Sequence, residues 1–582
     1  MNQEVTPPHG NATLPANAGL GPGTRLVVPA ASGGAVVVEE RLATRGLRRF
    51  FKGLDAAGTA YTVVEDVTAA PTLWQHIPDH RVVRPLFEQT MPNGAVWRVL
   101  ARPAAISVTQ WLEDREHPPA PLDVLTFGVN LCQVISAIHG MGRCVLSLDP
   151  EHVLRTPDMD VLLANLEDLP CPGELPRVTV GSNAAPEVVH RVGPLCGITS
   201  DVYVVGALVH ALLAHHPLWI PPPTVSSVAV HQFSPRVWRQ ELPLGIWPRL
   251  AGALHPDPAR RLPHLSALEE ALQHARAAVE RRYGNNPGGP VLLDAWADSH
   301  VGVGKARRGG DQQDRLFCGL GAGSHSALAA VADGVSHATL GDGGTAAEHT
   351  AVAVRALFEA LPTLATPVAD AALGTPVAVR HQALKDVLDS ATHAICKDAN
   401  HRGFPPDGET SGVMASTLVA AWVEGGVASV LNVGDSRCYV WDGATVEAVN
   451  LDHDRKTESV RAGLDPYTAA GLDAAGALTR AVGRVVVDAG ALVASPSPPD
   501  FFDVPLLPGD RLLLCSDGLP DYVMPPGASV LSPVVVEETL CKLLKDAPDP
   551  PEAAHALVGV ANRNGGHDNI AVVLIFVGRR VA

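Results

Sequence analysis

The strongest constraint on the fold is an apolar run, ALAAVA, that ends on Asp333-Gly334 and is followed by a glycine-rich turn. A short apolar run bounded by turn residues predicts a buried strand, and the turn after it presents a carboxylate at a sheet edge. Asp-Gly is also a common turn dipeptide, so the pair alone leaves an ordinary turn open. Three later stretches also bring an aspartate to an apolar run: LNVGDSRCY (431–439), LLLCSDGLPD (512–521) and GGHDNIAV (565–572).

Together with DQQDRLF (311–317), these stretches resemble, in this order, the PPM family of metal-dependent serine/threonine phosphatases (type 2C). Three weaker signatures of the family are MASTLVAAWV (414–423), LDHD (451–454) and LTRAVG (478–483). The resemblance covers about the last half of the chain. It implies an α-β-β-α sandwich, in which two antiparallel sheets are flanked by helices, and hydrolysis by a water activated between two metal ions.

The aspartates of these motifs suit hard divalent cations, which take oxygen ligands from carboxylates, carbonyls and water. The resemblance implies Mn²⁺ or Mg²⁺, with two core ions and a third, weaker one. The implied core ligands are Asp314, Asp333, the Gly334 carbonyl, Asp517 and Asp568, and the third position falls to Asp435 and Asp521. The alternative for each acid is an ordinary turn or helix-cap residue. Asn569 is expected to orient the loop of Asp568 rather than to bind metal.

The implied phosphate-binding position departs from the family pattern. The family carries an arginine five residues before its first metal-binding aspartate, but here that position is Gly309. A one-residue insertion would let Arg308 serve, because a planar guanidinium binds phosphate in a bidentate manner; a solvated surface arginine is the alternative. Some members also carry a histidine after Asp-Gly as a proton donor. Val335 stands there, and His337 or a metal-bound water would have to act instead.

Composition limits the class of protein. A chain of 582 residues with 46% hydrophobic residues fits two domains of ordinary size. With 61 acidic against 44 basic residues, the net charge of -17 disfavours nucleic acid or an anionic membrane as the main partner. The nine cysteines form no C-x-x-C pair. Without an uninterrupted apolar stretch of membrane-spanning length or a basic, apolar leader, a cytoplasmic protein is the expectation.

The first half reads as a small sheet followed by helices. Strands are predicted over 35–40, 47–55, 59–66 and 96–103, and helices over 122–141, 201–215 and 265–280. This order resembles the bilobal protein kinase fold. The motifs that carry the resemblance are AAPEVV (184–189), SDVYVVGAL (200–208) and HPDPARRL (255–262). In that architecture Arg261 would pair with Glu187; another α/β domain is the alternative.

The groups that carry out phosphoryl transfer in kinases are missing from this half. Transfer needs a lysine on the phosphates, a catalytic carboxylate and metal-binding groups. The corresponding positions hold Glu65 for the lysine, Ser147 for the catalytic aspartate, His152 for the asparagine, and Asn165, Leu166 and Glu167 for the DFG motif. Lys52 lies one strand too early, and no G-x-G-x-x-G loop is present. The first half is therefore predicted to be a pseudokinase.

Changes in composition along the chain, and stretches rich in proline and glycine, give the predicted domain boundaries. They are a flexible tail over 1–24, a kinase-like domain over 25–285, a linker over 286–295 and a phosphatase domain over 296–582. Within the last domain, 361–380 reads as a helix break or surface loop and 384–397 as a helix. The segment 417–449 reads as a run of strands with turns at 425–426 and 442–443, and 465–478 as a variable flap.

The combined prediction is an α+β protein of two domains, in which a pseudokinase regulates or recruits substrate for a protein serine/threonine phosphatase. The implied partners are a phosphoprotein substrate and a cognate protein kinase. Two rivals stay open: a non-catalytic scaffold with both domains inactive, and a bifunctional kinase-phosphatase. The set of metal-binding acids disfavours the first rival, and the missing kinase carboxylates disfavour the second.

Overall fold

The two halves of the chain form two compact units, which comprise 1–231 with 252–273, and 232–251 with 274–582. The computed structural model describes residues 22–29, 31–45, 48–66, 77, 79–83, 85–91, 94–101, 105–114, 116–164, 166, 169–175, 183–192, 195–214, 242, 246–284, 291–364, 375–403, 410–461, 469, 471–524 and 533–580. Most of the predicted tail lies outside these residues, as do Asn165 and Glu167.

The strands before residue 165 are β1 (Arg25–Val27), β2 (Ala35–Arg45), β3 (Arg48–Leu54), β4 (Ala60–Asp66), β5 (Val82–Val83), β6 (Pro85–Thr90), β7 (Val96–Ala101), β8 (Ile106–Ser107), β9 (Val153–Arg155) and β10 (Val161–Ala164). The first unit begins with a six-stranded antiparallel sheet of order β1-β2-β3-β4-β7-β6. Phe51, Val63 and Trp97 pack in its core. The four predicted strands are confirmed, whereas β6 was not predicted because its side chains are mostly exposed.

Helices dominate the rest of the chain before residue 280. They are α1 (Val108–Glu113), α2 (Pro121–His139), α3 (Pro186–Val189), α4 (Ile198–Ala214), α5 (Ile246–Ala253) and α6 (Leu265–Val279). Helices α2 and α4 pack on each other and are buried along most of their length, which explains their nearly continuous apolar sequences. By length and composition α2 could cross a membrane, but more than half of it is buried inside the unit, as in a core helix.

The ion pair predicted between Glu187 and Arg261 is present. Arg261 Nη1 lies 2.7 Å from Glu187 Oε1, and Nη2 lies 3.1 Å from Oε2. The two side chains are 3% and 0% exposed, respectively. Ser200 Oγ donates a further hydrogen bond of 2.6 Å to Glu187 Oε1, so the carboxylate has several donors. The pair joins α3 to the segment before α6.

The second unit is a four-layer sandwich. Its strands are β11 (Val291–His300), β12 (Arg315–Leu320), β13 (Ser326–Ala332), β14 (Leu418–Glu424), β15 (Val427–Val433), β16 (Arg437–Trp441), β17 (Val446–Ala448), β18 (Val485–Asp488), β19 (Ala491–Ala494), β20 (Asp500–Pro505), β21 (Arg511–Cys515) and β22 (Ile570–Arg580). Its helices are α7 (Val303–Arg307), α8 (Gly343–Leu364), α9 (Val377–Arg402), α10 (Arg455–Arg461), α11 (Pro520–Val523), α12 (Pro533–Asp546) and α13 (Pro550–Arg563).

Two five-stranded antiparallel sheets, of order β11-β22-β21-β16-β17 and β12-β13-β14-β15-β20, face each other. Strand β13 is apolar after Ser326 because both of its faces are covered. Leu328 and Ala330 pack with α8 and α9, whereas Ala329 and Val331 pack against the other sheet. Helices α12 and α13 cover the outer face of that other sheet. The α-β-β-α layering predicted for the second half is confirmed.

Two sequence predictions have wrong boundaries, and a third begins outside the described residues. Residues 291–295, assigned to the linker, begin β11, which pairs with β22 at the far end of the chain. The predicted break over 361–380 is wrong at both ends, since α8 continues to Leu364 and α9 starts at Val377. Arg380 is buried and donates to the Val427 carbonyl, a contact that local composition could not reveal. The predicted flap begins in residues outside the described part of the chain.

Candidate active site

Strand pairing brings two predicted ligands together at one end of the sandwich. Asp314 directly precedes β12, and Asp333 directly follows β13. These strands are antiparallel neighbours with Arg315 opposite Ala332, so the two aspartates are adjacent across the pair. Gly334, the next residue, is buried and bridges to Ser416.

The second sheet and the short helix after β21 bring four further acids to the same end. Asp517 follows β21 and Asp568 precedes β22, and the two strands pair from Cys515 opposite Val572. Asp435 lies in the turn between β15 and β16, and Arg437 of β16 pairs with Cys515. Asp521 lies on α11, where its amide donates to the Asp517 carbonyl, and it is exposed.

The oxygens of the buried acids are only partly satisfied by the protein. Asp314 is 2% exposed, and its Oδ2 accepts a 2.8 Å hydrogen bond from Ser516 Oγ. Asp314 Oδ1 and Asp517 Oδ1 are buried and have no hydrogen-bond donor among the described residues. Leaving a buried acceptor unsatisfied costs about 1–3 kcal/mol, and more for a charged group. Unsatisfied carboxylate oxygens are the donor set that fits a hard divalent cation.

Burial and mutual repulsion raise the pKa values of the acids in this cluster. The pKa of Asp333 is raised well above its usual range, first by burial and then by the charges of Asp314, Asp517 and Asp435. Burial, followed by the charge of Asp435, likewise raises the pKa of Asp517 well above its usual range. Burial is also the main reason that the pKa is raised to about 6 for Asp314 and to about 7 for Asp435. A bound cation would remove this repulsion.

These pKa shifts predict how stability depends on pH. Folding raises the pKa of Asp314 and Asp435 from 3.8, so the folded state binds more protons than the unfolded state. Without metal, the free energy of unfolding should therefore fall as pH rises from about 4 to about 7, because both acids lose protons that folding favours. Melting temperatures of the full chain in EDTA, at pH 5 to 8, measure this. Excess Mn²⁺ should raise the melting temperature more at pH 8 than at pH 5, and an equal effect at both would contradict the prediction.

One cation in direct contact with the cluster is Lys305, which sequence reasoning missed. Its Nζ lies 2.8 Å from Asp568 Oδ1 and 2.8 Å from Asn569 Oδ1, and the side chain is 14% exposed. Arg308, the sequence-based candidate, is exposed at the rim. There its Nη2 donates a 2.8 Å hydrogen bond to the His567 carbonyl. The sequence carried no signal for Lys305, because the lysine and Asp568 are 263 residues apart along the chain.

Asn569 holds that loop, in agreement with its predicted orienting role. Its Nδ2 donates to the carbonyls of Val301 and Asp311, and its Oδ1 accepts from the Gln313 amide. The loop also requires a glycine at Gly302. Its φ is +86°, and a Cβ there would lie 2.0 Å from the Asp568 carbonyl oxygen.

His337, weighed as a proton donor, is exposed on the loop that follows Asp333. The amide of Val335 donates to the Ala415 carbonyl. His567 is exposed beside Asp568, with its ring 5.7 Å from that of Tyr522. Geometry alone assigns none of these three residues to proton transfer.

In the first unit, one position predicted to have lost kinase chemistry, Ser147, directly follows a loop segment whose amides bond to Asp201. Asp201 is fully buried and accepts from the amides of Val145 and Leu146, next to Ser147. His139 Nε2 lies 2.8 Å from Asp201 Oδ2. With Cys144 these side chains are close enough to share a metal ion, but Asp201 already serves the loop backbone. Glu65 on β4 is buried and lies 3.2 Å from Arg49 Nη1.

Comparison with known proteins agrees with this geometry. The family model described as protein phosphatase 2C matches residues 301–545. The serine/threonine phosphatase stp of Listeria welshimeri is 32% identical over 163 residues, which are 28% of this chain and 56% of that protein. The serine/threonine protein phosphatase PstP of Mycobacterium tuberculosis is 30% identical over 162 residues, 28% of this chain and 27% of that protein. The chain thus spans about half the length of the Listeria relative.

Two solved structures are each similar to half of this chain. PppA, described as a key regulatory component of T6SS in Pseudomonas aeruginosa, covers 50% of this chain and 99% of its own, with 25% identity and a TM-score of 0.35. The catalytic domain of PstP, solved in complex with 2 manganese ions, covers 50% of this chain and all of its own, with 24% identity and a TM-score of 0.35. Residues 301–545 of this chain, which lie within the sandwich of the second unit, are thus similar in sequence to the protein phosphatase 2C family.

Proposed function

We propose that this protein is a metal-dependent protein phosphatase that hydrolyses phosphoserine and phosphothreonine. The observation that carries the proposal is the convergence of Asp314, Asp333 and Asp517 on one end of the sandwich, where Asp314 Oδ1 and Asp517 Oδ1 are buried without donors among the described residues. The similarity to bacterial serine/threonine phosphatases supports the substrate class. A purely structural role would not require such a cluster, because buried like charges destabilise a fold.

The proposed cofactor is a pair of Mn²⁺ or Mg²⁺ ions, held by Asp314, Asp333, the Gly334 carbonyl, Asp517 and Asp568, with Asp435 and Asp521 for a third. When bound, such ions supply the charge that lowers the pKa of a bound water and neutralises the phosphoryl oxygens. Ser516 fixes one oxygen of Asp314 and leaves the other available. Lys305 holds Asp568, and Asn569 ties the loop before β22 to the carbonyls of Val301 and Asp311, so the acids keep their places.

Arg308 is proposed to bind the substrate phosphate from the rim. Its guanidinium is exposed and contacts only His567 among the hydrogen-bond partners found for its side chain. Arg308→Ala should therefore lower kcat/KM for a phosphopeptide about 5- to 150-fold, mainly through KM, as expected for loss of about 1–3 kcal/mol of charge-assisted hydrogen bonding. Steady-state kinetics measure both constants.

Two neighbours provide matched comparisons. Arg307→Ala removes an exposed charge from the same turn and should have a milder effect. Lys305→Ala should instead lower kcat and the apparent affinity for Mn²⁺. The lysine holds Asp568, a proposed metal ligand, whereas Arg308 is proposed to bind the substrate phosphate. Equal losses for the two arginines, or a KM effect confined to Lys305→Ala, would contradict the assignment of Arg308.

For the first unit we propose a catalytically inactive kinase-like domain that regulates the phosphatase or recruits its substrate. Support comes from the buried Glu187–Arg261 pair, and from Glu65 at the position where a lysine would meet the phosphates. A negative charge there repels ATP. The full chain carrying Asp517→Asn, incubated with labelled ATP and a generic protein substrate, is expected to transfer no phosphate. Micromolar Mg²⁺-ATP affinity in calorimetry would contradict this reading of Glu65.

The central test is hydrolysis of a phosphoserine peptide by the full chain as Mn²⁺ is varied. We expect turnover that rises with Mn²⁺, is abolished by EDTA and returns when metal is restored. Failure at every metal concentration, with a folded protein that also binds no Mn²⁺ in calorimetry, would favour the rival of a non-catalytic scaffold. The substrate protein would be a phosphorylated partner of a cognate kinase.

A further inference from the structure

Two sequence signatures that the proposed site does not use meet in the structure. They are LDHD (451–454) and LTRAVG (478–483). Asp454 bridges to Leu478, and Thr479 donates to the His453 carbonyl from both its amide, at 2.8 Å, and its Oγ1, at 3.0 Å. These contacts bring His453 and Arg480 together beside the turn that carries Asp435.

His453 contacts both polar backbone groups of Gly434, the residue before Asp435. Its Nδ1 accepts a 3.1 Å hydrogen bond from the Gly434 amide, and its own amide donates a 2.8 Å bond to the Gly434 carbonyl. The histidine side chain is fully buried. Gly434 has a φ of +112°, and a Cβ there would lie 2.6 Å from Thr417 Cβ. The turn therefore depends on external partners to keep one conformation.

The other ring nitrogen of His453, Nε2, holds the ring in the orientation that lets Nδ1 accept from Gly434. Because Nδ1 accepts from Gly434, the ring proton is on Nε2, which donates to Asp500 Oδ2 at 3.0 Å. Asp500 Oδ1 is held in turn by Arg480 Nη1 at 3.0 Å, and Arg480 Nη2 donates to Glu458 Oε1 at 2.9 Å. A continuous hydrogen-bonded chain thus runs from Glu458 on α10 to the Gly434 turn.

The Asp435 carboxylate has a reason to need this support. It shares the end of the sandwich with other acids, whose repulsion favours any movement of its turn away from them. Gly434 and Asp435 belong to no strand, so the sheets do not fix them. Partners of a metal-binding residue that lie one step from the ion commonly control affinity by orienting it.

We propose that His453 is a positioning residue for Asp435, with its ring proton and orientation set by Asp500 and Arg480. The inference rests on the proposed function for its catalytic consequence, since Asp435 is there a ligand of the third, weaker ion. The positioning itself is a property of the metal-free protein and can be tested without turnover.

The experiment uses two variants of the full chain, in each of which an amide replaces one ring nitrogen of His453. His453→Asn places an amide oxygen where Nδ1 accepts from Gly434 but loses the bond to Asp500. His453→Gln can donate near Nε2 but leaves the Gly434 amide without its acceptor. Hydrogen–deuterium exchange of the peptide containing residues 431–439, in EDTA, reports on the turn. His393→Gln, a change at an exposed position on α9, is the control.

We expect exchange at the Gly434 turn to be about tenfold faster in His453→Gln, as for loss of one local hydrogen bond, and near wild type in His453→Asn and in the control. Calorimetry with Mn²⁺ should show about 10- to 100-fold weaker binding at the weakest site in His453→Gln only. In the active enzyme that variant should need more Mn²⁺ for half-maximal kcat, with KM for the peptide unchanged.

Unchanged exchange in His453→Gln would overturn the inference. So would equal losses in both variants accompanied by a common drop in melting temperature, because His453 would then be a core-packing residue. If the variants differ in exchange and Mn²⁺ binding as expected but the wild type hydrolyses no phosphopeptide, the positioning role is supported and the proposed function is refuted. An active wild type whose variants lack the pattern would do the reverse.

Discussion

Asp517→Asn is expected to lower kcat/KM for Mn²⁺-dependent phosphopeptide hydrolysis by roughly two to three orders of magnitude, equivalent to about 3–4 kcal/mol. A neutral amide is a much poorer ligand for a hard cation than a carboxylate. The shape of the side chain is kept, and the Asp517 carbonyl still accepts from the Asp521 amide at the start of α11. The loss should therefore come from the site and not from the fold.

Thermal stability distinguishes a defect of the metal site from a defect of the fold. Asp517 lies in a cluster of acids that raise one another's pKa, so removing its charge should raise the melting temperature in EDTA. The same change should reduce the stabilisation that Mn²⁺ gives, because the stabilisation by a ligand rises with the logarithm of its affinity. Asp311→Asn, which removes an exposed charge from the neighbouring loop, is the control. Normal turnover with a normal metal requirement in Asp517→Asn would refute the assignment of this residue.

The ends of the strands were predictable because buried strands are short apolar runs with turn residues at each end. ALAAVA before Asp333 and RLLLC before Ser516 end where β13 and β21 end. Antiparallel pairing then brings the aspartates together, although the register itself is not readable from one strand. The order of the motifs supplied that information through the family resemblance.

The environment of the site was not predictable in the same way. Lys305 reaches Asp568 because α7 packs beside the loop of 565–568, where the Gly304 amide donates to the carbonyls of Gly565 and Gly566. Spacing along the chain cannot reveal such a contact across more than two hundred and fifty residues. The start of β11 was missed for a related reason, since its partner is the last strand of the chain.

The Glu187–Arg261 pair was predicted by resemblance, and its burial predicts a large effect. Arg261→Met should lower the free energy of unfolding of the first unit by about 3–5 kcal/mol, the usual cost of removing one partner of a buried ion pair. The change leaves Glu187 buried with the hydroxyl of Ser200 as its remaining side-chain donor. It also removes the guanidinium that lies 5.1 Å from the Tyr203 ring.

Urea unfolding of the full chain, with Mn²⁺ present to stabilise the second unit, should show an earlier first transition in Arg261→Met and an unchanged metal-dependent one. Arg260→Met is the matched control, because Arg260 is 68% exposed and its ion pair with Asp257 is worth little. The double variant Arg261→Met/Glu187→Leu should recover most of the loss, since no buried charge is left unpaired. If the double variant is as unstable as Arg261→Met, packing around the guanidinium, and not the unpaired carboxylate, holds α3 in place.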